Sequence, residues 1–330
     1  MIETSKRQFL LASSATVLVA ATASVPGVAL AQQYPTQDIH IICAFPPGSG
    51  ADILVRYFAE ELRKKANRTV IVENKVGAAG NIAAVYTAKS KPHAHTIHIH
   101  AGSSTAANFN LFRKPPIDPS KDLQVVATLN QQPFMVMVKA DAPYKTLQDL
   151  TAAMKAKGDK ATYAQSNTTG KVMGELYRQG TGIQAVEVAY RSANDSLNDF
   201  QSGTLDYGMM DPVFALVQER EGRLRNLAVS TGKRMKSLPN LPTMAESGVP
   251  GVDLFGWFAA MVPAATPKPV VDQLNAWLNE IEAKPETAKF LADFGGDPWI
   301  TTPEEGQAQM VKDQKAWAEY MKAAKIDPQD

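Results

Sequence analysis

The sequence contains a single cysteine among 330 residues, which excludes an internal disulfide. Cys43 lies in an apolar, β-rich run, where we interpret it as a buried thiol rather than a reactive nucleophile. Basic and acidic residues nearly balance, at 34 and 33, and no basic run occurs, so the electrostatic signature of nucleic-acid binding is missing. No segment beyond residue 31 is long and apolar enough to span a bilayer, which predicts no direct membrane insertion of the mature chain.

The motifs of common enzyme classes are also missing. No G-x-S-x-G nucleophile elbow occurs, and Gly48-Ser49-Gly50 lacks the third glycine of a dinucleotide-binding fingerprint. Thr169-Gly170-Lys171 has neither the upstream glycine nor the following Ser or Thr of a P-loop. We therefore predict that the protein is not an enzyme and needs no cofactor, with a secreted hydrolase as the alternative.

The first 31 residues have the pattern of a signal peptide. Lys6 and Arg7 precede an apolar stretch that begins at Phe9, and residues 29–31 fit an A-x-A cleavage site. Residues 5–10 resemble a twin-arginine signal in which Lys replaces the first Arg, so the general secretory (Sec) route and the twin-arginine route both stay open. We expect a periplasmic protein whose mature length of about 300 residues suits two domains.

The rest of the chain alternates short β-rich runs with helical patterns. This alternation is typical of mostly parallel sheets flanked by helices, so we predict an α/β fold. The predicted strands cover residues 39–44, 69–73, 96–101, 125–129, 134–138, 161–165, 186–189, 205–210 and 226–230, with a further apolar run at 255–262. The predicted helices cover residues 52–66, 80–90, 104–112, 146–157, 169–180, 193–202, 212–220, 267–284, 285–295 and 303–324.

The turn at residues 45–52 joins the first strand to the first helix. Ser49 and Asp52 have the spacing of a capping box, and apolar residues recur at helical spacing after them. The first amides of a helix have no partner within the helix and, together with the helix dipole, form a site for a small anion. The turn therefore indicates an anion-binding site, with an ordinary strand–helix turn as the alternative.

Further turns rich in small and hydroxyl-bearing residues follow other predicted strands. They lie at residues 76–81, 102–105, 165–170 and 190–194. Each of them alone is typical of a helix cap, but ligands of open α/β sheets bind at the carboxyl ends of the strands. Their accumulation in both halves of the chain therefore predicts a binding site at this edge.

Two sequence blocks carry a family resemblance. Residues 70–82 and 238–248, with further matches at 34–35, 39–52 and 256–258, resemble the Bug-type, TctC-like extracytoplasmic solute-binding proteins of tripartite tricarboxylate transporters. The resemblance covers essentially the whole mature chain. It implies a two-domain periplasmic binding protein of the Venus-flytrap type, with a small carboxylate as its ligand and membrane permease subunits as its partners. We expect a monomer.

The resemblance also implies how the cleft is built. We expect domain 1 to combine residues 32–134 with 253–330 and domain 2 to cover 135–252, with hinge crossings near Phe134 and Phe255. The family typically holds the carboxylate by backbone amides and waters of two facing turns, which match residues 47–52 and 165–170 here. Asp211 matches an acidic cleft position. The candidate ligand-binding residues are Phe45, Pro47, Gly48, Ser49, Gly50, Ala51, Asp52, Ser103, Ser104, Ser166, Asn167, Thr168, Thr169, Tyr190, Arg191 and Asp211.

Several positions depart from the family pattern where a ligand is chosen. Ser49 stands in a loop that usually carries more glycine, the turn at 165–169 is shorter than usual, and Arg191-Ser192 replaces Lys-Gly. The ligand is therefore left open among C4 dicarboxylates, tricarboxylates, aromatic carboxylates and acidic amino acids. We predict that Arg191 pairs a second carboxylate through its planar guanidinium, with a solvent-exposed arginine as the alternative.

Four of the five histidines lie between residues 93 and 100. On a strand, His98 and His100 project to the same face, where they could ligate zinc or copper. No cysteine cluster or recognisable third ligand accompanies them, so we predict a half-buried strand and no metal site, with a metal site as the alternative.

A ligand sensor that presents its closed form to a receptor is the alternative to transport, since both use the same closure.

Overall fold

The computed structural model describes residues 34–330; the predicted signal peptide, residues 1–31, lies outside them. The strands are β1 (Ile39–Cys43), β2 (Val70–Asn74), β3 (Thr96–Ala101), β4 (Leu123–Pro133), β5 (Met135–Lys139), β6 (Thr162–Gln165), β7 (Val186–Ala189), β8 (Tyr207–Met210), β9 (Leu224–Val229) and β10 (Phe255–Pro263). The α-helices are α1 (Gly50–Ala66), α2 (Asn81–Ala88), α3 (Gly102–Leu111), α4 (Pro119–Asp122), α5 (Leu147–Lys157), α6 (Thr168–Thr181), α7 (Leu197–Ser202), α8 (Pro212–Arg220), α9 (Lys268–Glu282), α10 (Pro285–Asp293) and α11 (Pro303–Ala323).

Each of two domains is built around one five-stranded sheet. The strand order is β2-β1-β3-β10-β4 in the first domain and β7-β6-β8-β5-β9 in the second. The strands β10 and β5 are antiparallel to both of their neighbours, and the other pairings are parallel. Four strands of each sheet therefore run in one direction and one is reversed. The predicted two-domain α/β fold is confirmed, with sheets that are mixed.

The chain crosses between the domains twice. The first crossing is Phe134, between β4 and β5, and the second is the connection from β9 to β10. Ser230 ties the crossings together, because its amide donates to the carbonyl of Phe134 (2.9 Å) and its hydroxyl accepts from the amide of Phe134 (2.8 Å). Its carbonyl accepts from the amide of Leu254 (3.0 Å). Since Ser230 is fully buried, water cannot replace these bonds.

Local signals in the sequence set the helix starts. Ser49, Asn167 and Asp211 are N-caps whose side chains accept from a backbone amide three residues later. The short helix α4 is not among the predicted elements, and β4 extends at both ends beyond its predicted range. In residues 34–330, none of the helices is long and apolar enough to cross a membrane.

Candidate functional site

A cleft of about 940 Å³ lies between the two domains. The strands β1 and β3 of the first sheet lead into α1 and α3, and the strands β6 and β8 of the second sheet lead into α6 and α8. Residues at the start of all four helices line the cleft. The first amides of a helix lack hydrogen-bond partners within the helix, and they lie at the positive end of the helix dipole. The cleft therefore offers anion-binding groups from both domains.

A hydrogen-bond network under the first turn fixes its shape. The Asp52 carboxylate accepts from the amide of Gly48 (2.8 Å), from Nε of Arg56 (2.8 Å) and from Nδ2 of Asn74 (2.7 Å). Asn74 also donates to the carbonyl of Phe45 (2.9 Å). Burial opposes ionisation of Asp52, but these hydrogen bonds lower its pKa to about 2. Asp52 stabilises the turn from the side that faces away from the cleft, because it does not line the cleft.

The second turn faces the first from the other domain. The Asn167 side chain accepts from the amide of Gly170 (2.9 Å) and caps α6. A Cβ at Gly170 would lie 2.5 Å from the carbonyl oxygen of Met209, so glycine lets α6 start close against β8. This packing brings Thr168 and Thr169, both partly buried, to the cleft wall.

The helix α8 of the second domain packs directly against the first domain. A Cβ at Gly50 would lie 2.9 Å from Cγ1 of Val213, and a Cβ at Gly295 would lie 2.8 Å from Cβ of Pro212. The Asp211 side chain caps α8 by accepting from the amide of Phe214 (3.0 Å). Burial raises the pKa of Asp211, although this hydrogen bond opposes the shift. The two domains therefore meet at the edge of the cleft, where α8 begins.

The wall of the cleft in the first domain is largely aromatic. The ring centroid of Phe45 lies 4.6 Å from that of His100 and 5.7 Å from that of Phe258. Nε1 of the fully buried Trp257 donates to Asp313 (2.6 Å), so its indole is held in the wall. A Cβ at Gly102 would lie 2.3 Å from the Trp257 ring, so only glycine fits there.

Most of the candidate residues predicted from the sequence line this cleft. They are Phe45, Gly48, Ser49, Gly50, Ala51, Ser103, Ser104, Asn167, Thr168, Thr169 and Asp211. Asp52, Pro47, Ser166, Tyr190 and Arg191 are not among the lining residues. Pro47 is exposed, and the Ser166 hydroxyl lies 3.9 Å from Sδ of Met210.

Tyr190 and Arg191 lie outside the lining of the cleft. The Tyr190 hydroxyl donates to Asp199 (2.5 Å), which orients the ring toward its own domain. Arg191 is exposed and forms no ion pair with any other residue in 34–330. Arg191 is therefore solvent-exposed and is not among the residues that line the cleft.

Sequence reasoning missed two buried polar side chains that line the cleft. They are His100 and Gln218, each 4% exposed. Both ring nitrogens of His100 and Oε1 of Gln218 have no hydrogen-bond partner in the described part of the chain. For the strand that carries the histidine cluster, the sequence predicts half-burial. That expectation is wrong, because α2 and α3 cover this part of the sheet and leave His98 fully buried.

The histidines do not assemble into a larger cluster. The rings of His98 and His100 stack with centroids 5.2 Å apart, and Nδ1 of His98 lies 2.9 Å from the carbonyl oxygen of Ile42. Across residues 34–330, no group of three or more His, Cys, Asp or Glu side chains is placed to hold a metal ion. The pair alone supplies too few ligands for the tetrahedral site that zinc prefers.

Two α/β domains with two crossings and a cleft lined by helix N-termini define a solute-binding protein of the two-domain type. The model of the tripartite tricarboxylate transporter family receptor matches residues 54–325, and the chain belongs to this family. It is 32% identical over 309 residues to a UPF0065 protein of Bordetella bronchiseptica. This alignment covers 92% of this chain and 90% of that protein.

Solved structures show the same similarity. An R. palustris protein solved with adipate is 27% identical, has a TM-score of 0.80, and covers 90% of this chain and 100% of its own. The periplasmic binding protein BugD is also 27% identical, with a TM-score of 0.75 and the same coverage. The family consists of solute-binding receptors, which agrees with the prediction from the missing enzyme motifs.

Proposed function

We propose that the protein is a periplasmic substrate-binding protein that captures a small carboxylate between its domains and delivers it to the permease of a tripartite tricarboxylate-type transporter. The observation that carries the proposal is the convergence of four helix N-termini, two from each domain, on one cleft. Membership of the receptor family supports it, as does the adipate in a structural relative.

The cleft recognises negative charge through neutral groups. Among the described residues that line it there is no Lys or Arg, so backbone amides and helix dipoles attract the carboxylate. The Phe45 and Phe258 rings supply an apolar surface for the carbon skeleton of the ligand. This division of roles favours a small organic acid over an inorganic anion.

Closure follows from contacts that need both domains. In this proposal the carboxylate bridges the turn at 47–52 and the turn at 165–170, and the moving bodies are residues 32–134 with 253–330 and residues 135–252. A ligand shifts the equilibrium toward the closed form only by its differential affinity for that form. Contacts with both turns supply this difference, because only the closed form presents them together.

A thermal-shift screen of residues 32–330 against a panel of mono-, di- and tricarboxylates, confirmed by titration calorimetry, tests the proposal. A ligand that binds only the native state raises the melting temperature. We expect a shift with at least one carboxylate and its loss in Thr168→Trp, which fills the cleft wall. Thr204→Trp is the matched control, because Thr204 is exposed in the same domain and does not line the cleft.

Two results would contradict the proposal. One is the absence of a shift with every carboxylate, and the other is a shift that Thr168→Trp leaves unchanged. Turnover of the bound carboxylate would support the hydrolase alternative instead.

A further inference from the structure

His100 lies in the cleft wall with its polar atoms unused. It is the second-last residue of β3, and its ring lines the cleft beside Phe45. The side chain is 4% exposed, and neither ring nitrogen has a hydrogen-bond partner among residues 34–330. Leaving a buried donor or acceptor unpaired is unfavourable, so an unpaired polar group in a native cleft calls for a partner such as water or a ligand.

The neighbouring loop leaves room for the imidazole. Gly80 lines the cleft with φ +94°, and a Cβ at this position would lie 2.6 Å from Nε2 of His100. Any other residue at position 80 would therefore press against that nitrogen. Ala78 and Ala79, in the same loop, have φ of +47° and +54°, which is unfavourable for residues with a Cβ. The loop thus accepts backbone strain beside the unpaired imidazole, as functional loops do.

His98 shows that burial on β3 does not by itself leave both ring nitrogens of a histidine without a partner. It lies on the same face of β3 and is fully buried, but only its Nε2 lacks a partner among residues 34–330, because its Nδ1 pairs with the Ile42 carbonyl at 2.9 Å. It does not line the cleft. His98 is therefore the matched comparison for His100.

We propose that His100 is a specificity-determining residue that donates a hydrogen bond to an oxygen of a second acidic group on the ligand, so that the cleft selects dicarboxylates. This inference rests on the proposed function, in which the amides at the helix N-termini hold the first carboxylate. The partly exposed Phe45 covers the imidazole, and the ligand displaces that ring to reach it.

The chemistry of the wall favours this role for His100. Burial lowers the pKa of His100 well below its usual range, so the ring is neutral near pH 7 and carries one N–H donor. The lining residues within the described chain include no Lys or Arg that could pair the second acidic group. A neutral donor at a fixed position then distinguishes a dicarboxylate from the monocarboxylate of equal length, which leaves the imidazole unpaired.

Titration calorimetry with matched pairs of acids tests the inference. The pairs are succinate and butyrate, glutarate and pentanoate, and adipate and hexanoate. We expect His100→Leu to weaken the dicarboxylate of the best-binding pair at least tenfold more than its monocarboxylate. His100→Gln keeps an N–H donor and should restore part of the selectivity. His98→Leu, the matched control, should leave the ratio of the two affinities unchanged.

A second measurement does not depend on the variants. With only five histidines in the chain, ¹⁵N-histidine labelling of the wild-type protein resolves the ring nitrogens. We expect the dicarboxylate to shift the His100 ring resonances much more than those of His98. An equal effect of His100→Leu on both acids, or an unshifted His100 ring, would overturn the inference while leaving the proposed function intact. If no acid of either kind binds the wild-type protein, the proposed function itself fails.

Discussion

At the scale of single residues, Asp52 decides whether the first turn can present its amides. Its carboxylate joins the start of the turn, the helix α1 and the end of β2 through three hydrogen bonds of 2.7–2.8 Å. The side chain is only 1% exposed, so water cannot compensate for a lost bond. Asp52 therefore fixes the shape of the turn that we propose to bind the carboxylate.

We predict that Asp52→Asn lowers the free energy of unfolding by about 2 kcal/mol at pH 7, because the pKa of Asp52 in the folded protein is about 2 rather than 3.8. A carboxyl with a depressed pKa stabilises the fold above the unfolded-state pKa. The difference between wild type and variant should therefore shrink as the pH falls from 3.8 toward 2. Urea denaturation at pH 7 and at pH 3 measures both effects. The exposed Asp159→Asn serves as the control, and a difference that is the same at both pH values would contradict the prediction.

The candidate residues show what a sequence reveals at this scale. The caps at Ser49 and in the turn at 165–170 could be predicted, because capping depends on residue types a few positions apart. The direction of the Tyr190 and Arg191 side chains could not, because it depends on Asp199 and on the surface around the turn. The importance of His100 was also hidden, since its partners and its burial come from distant segments.

At the scale of elements, β3 carries two neutral histidines into the interior. Burial lowers the pKa of His98 to about 4, although its hydrogen bond with the Ile42 carbonyl opposes the shift. In the unfolded chain the ordinary pKa of histidine is about 6.5. The unfolded state therefore binds more protons than the folded state between pH 6.5 and 4, so stability must fall as the pH decreases through this range.

We predict that His98 alone costs the wild-type protein about 2 kcal/mol of unfolding free energy between pH 7.5 and pH 5. His98→Leu should remove this contribution and give a flatter pH dependence, whatever its effect on stability at pH 7.5. Urea denaturation of both proteins at the two pH values provides the measurement. If the two proteins lost equal stability over this range, His98 would not be the buried neutral group that the structure shows.

Secondary structure was the most predictable level of this fold. The helical period and the β-rich runs located the main elements, including the long helix α11. The reversed direction of β5 and β10 could not be predicted in this way, because local periodicity does not report strand direction. The family resemblance supplied the two hinge crossings that explain it.

At the scale of the whole molecule, Gly50 and Gly295 let α8 of the second domain lie close against the first domain. One of these approaches joins Gly50 to Val213, where a Cβ would lie 2.9 Å from the valine Cγ1. Gly50 lies in the first turn of α1 and is not among the residues with positive φ. Alanine therefore suits the backbone at position 50 but not its surroundings against α8.

We predict that Gly50→Ala weakens ligand affinity about tenfold, since overpacking typically costs 1–3 kcal/mol. Val213→Ala in the same chain should restore the affinity, because it removes the atoms that the new methyl group meets. Calorimetry on wild type, both single variants and the double variant gives the coupling between the two positions. Additive effects of the two substitutions would show that positions 50 and 213 are not in contact in the ligand-bound form.

The pairing of Pro133 with Phe255 has a consequence for the order of folding. These residues face each other at the end of the β4–β10 ladder, so the second domain replaces the turn of an antiparallel hairpin in the first. Closing such a hairpin across more than a hundred residues costs more chain entropy than closing it with a short turn. The ladder of Met135 with Val229 in the second domain already brings the two ends together. We therefore expect the inserted domain to fold first and to serve as the template on which the outer one completes its sheet.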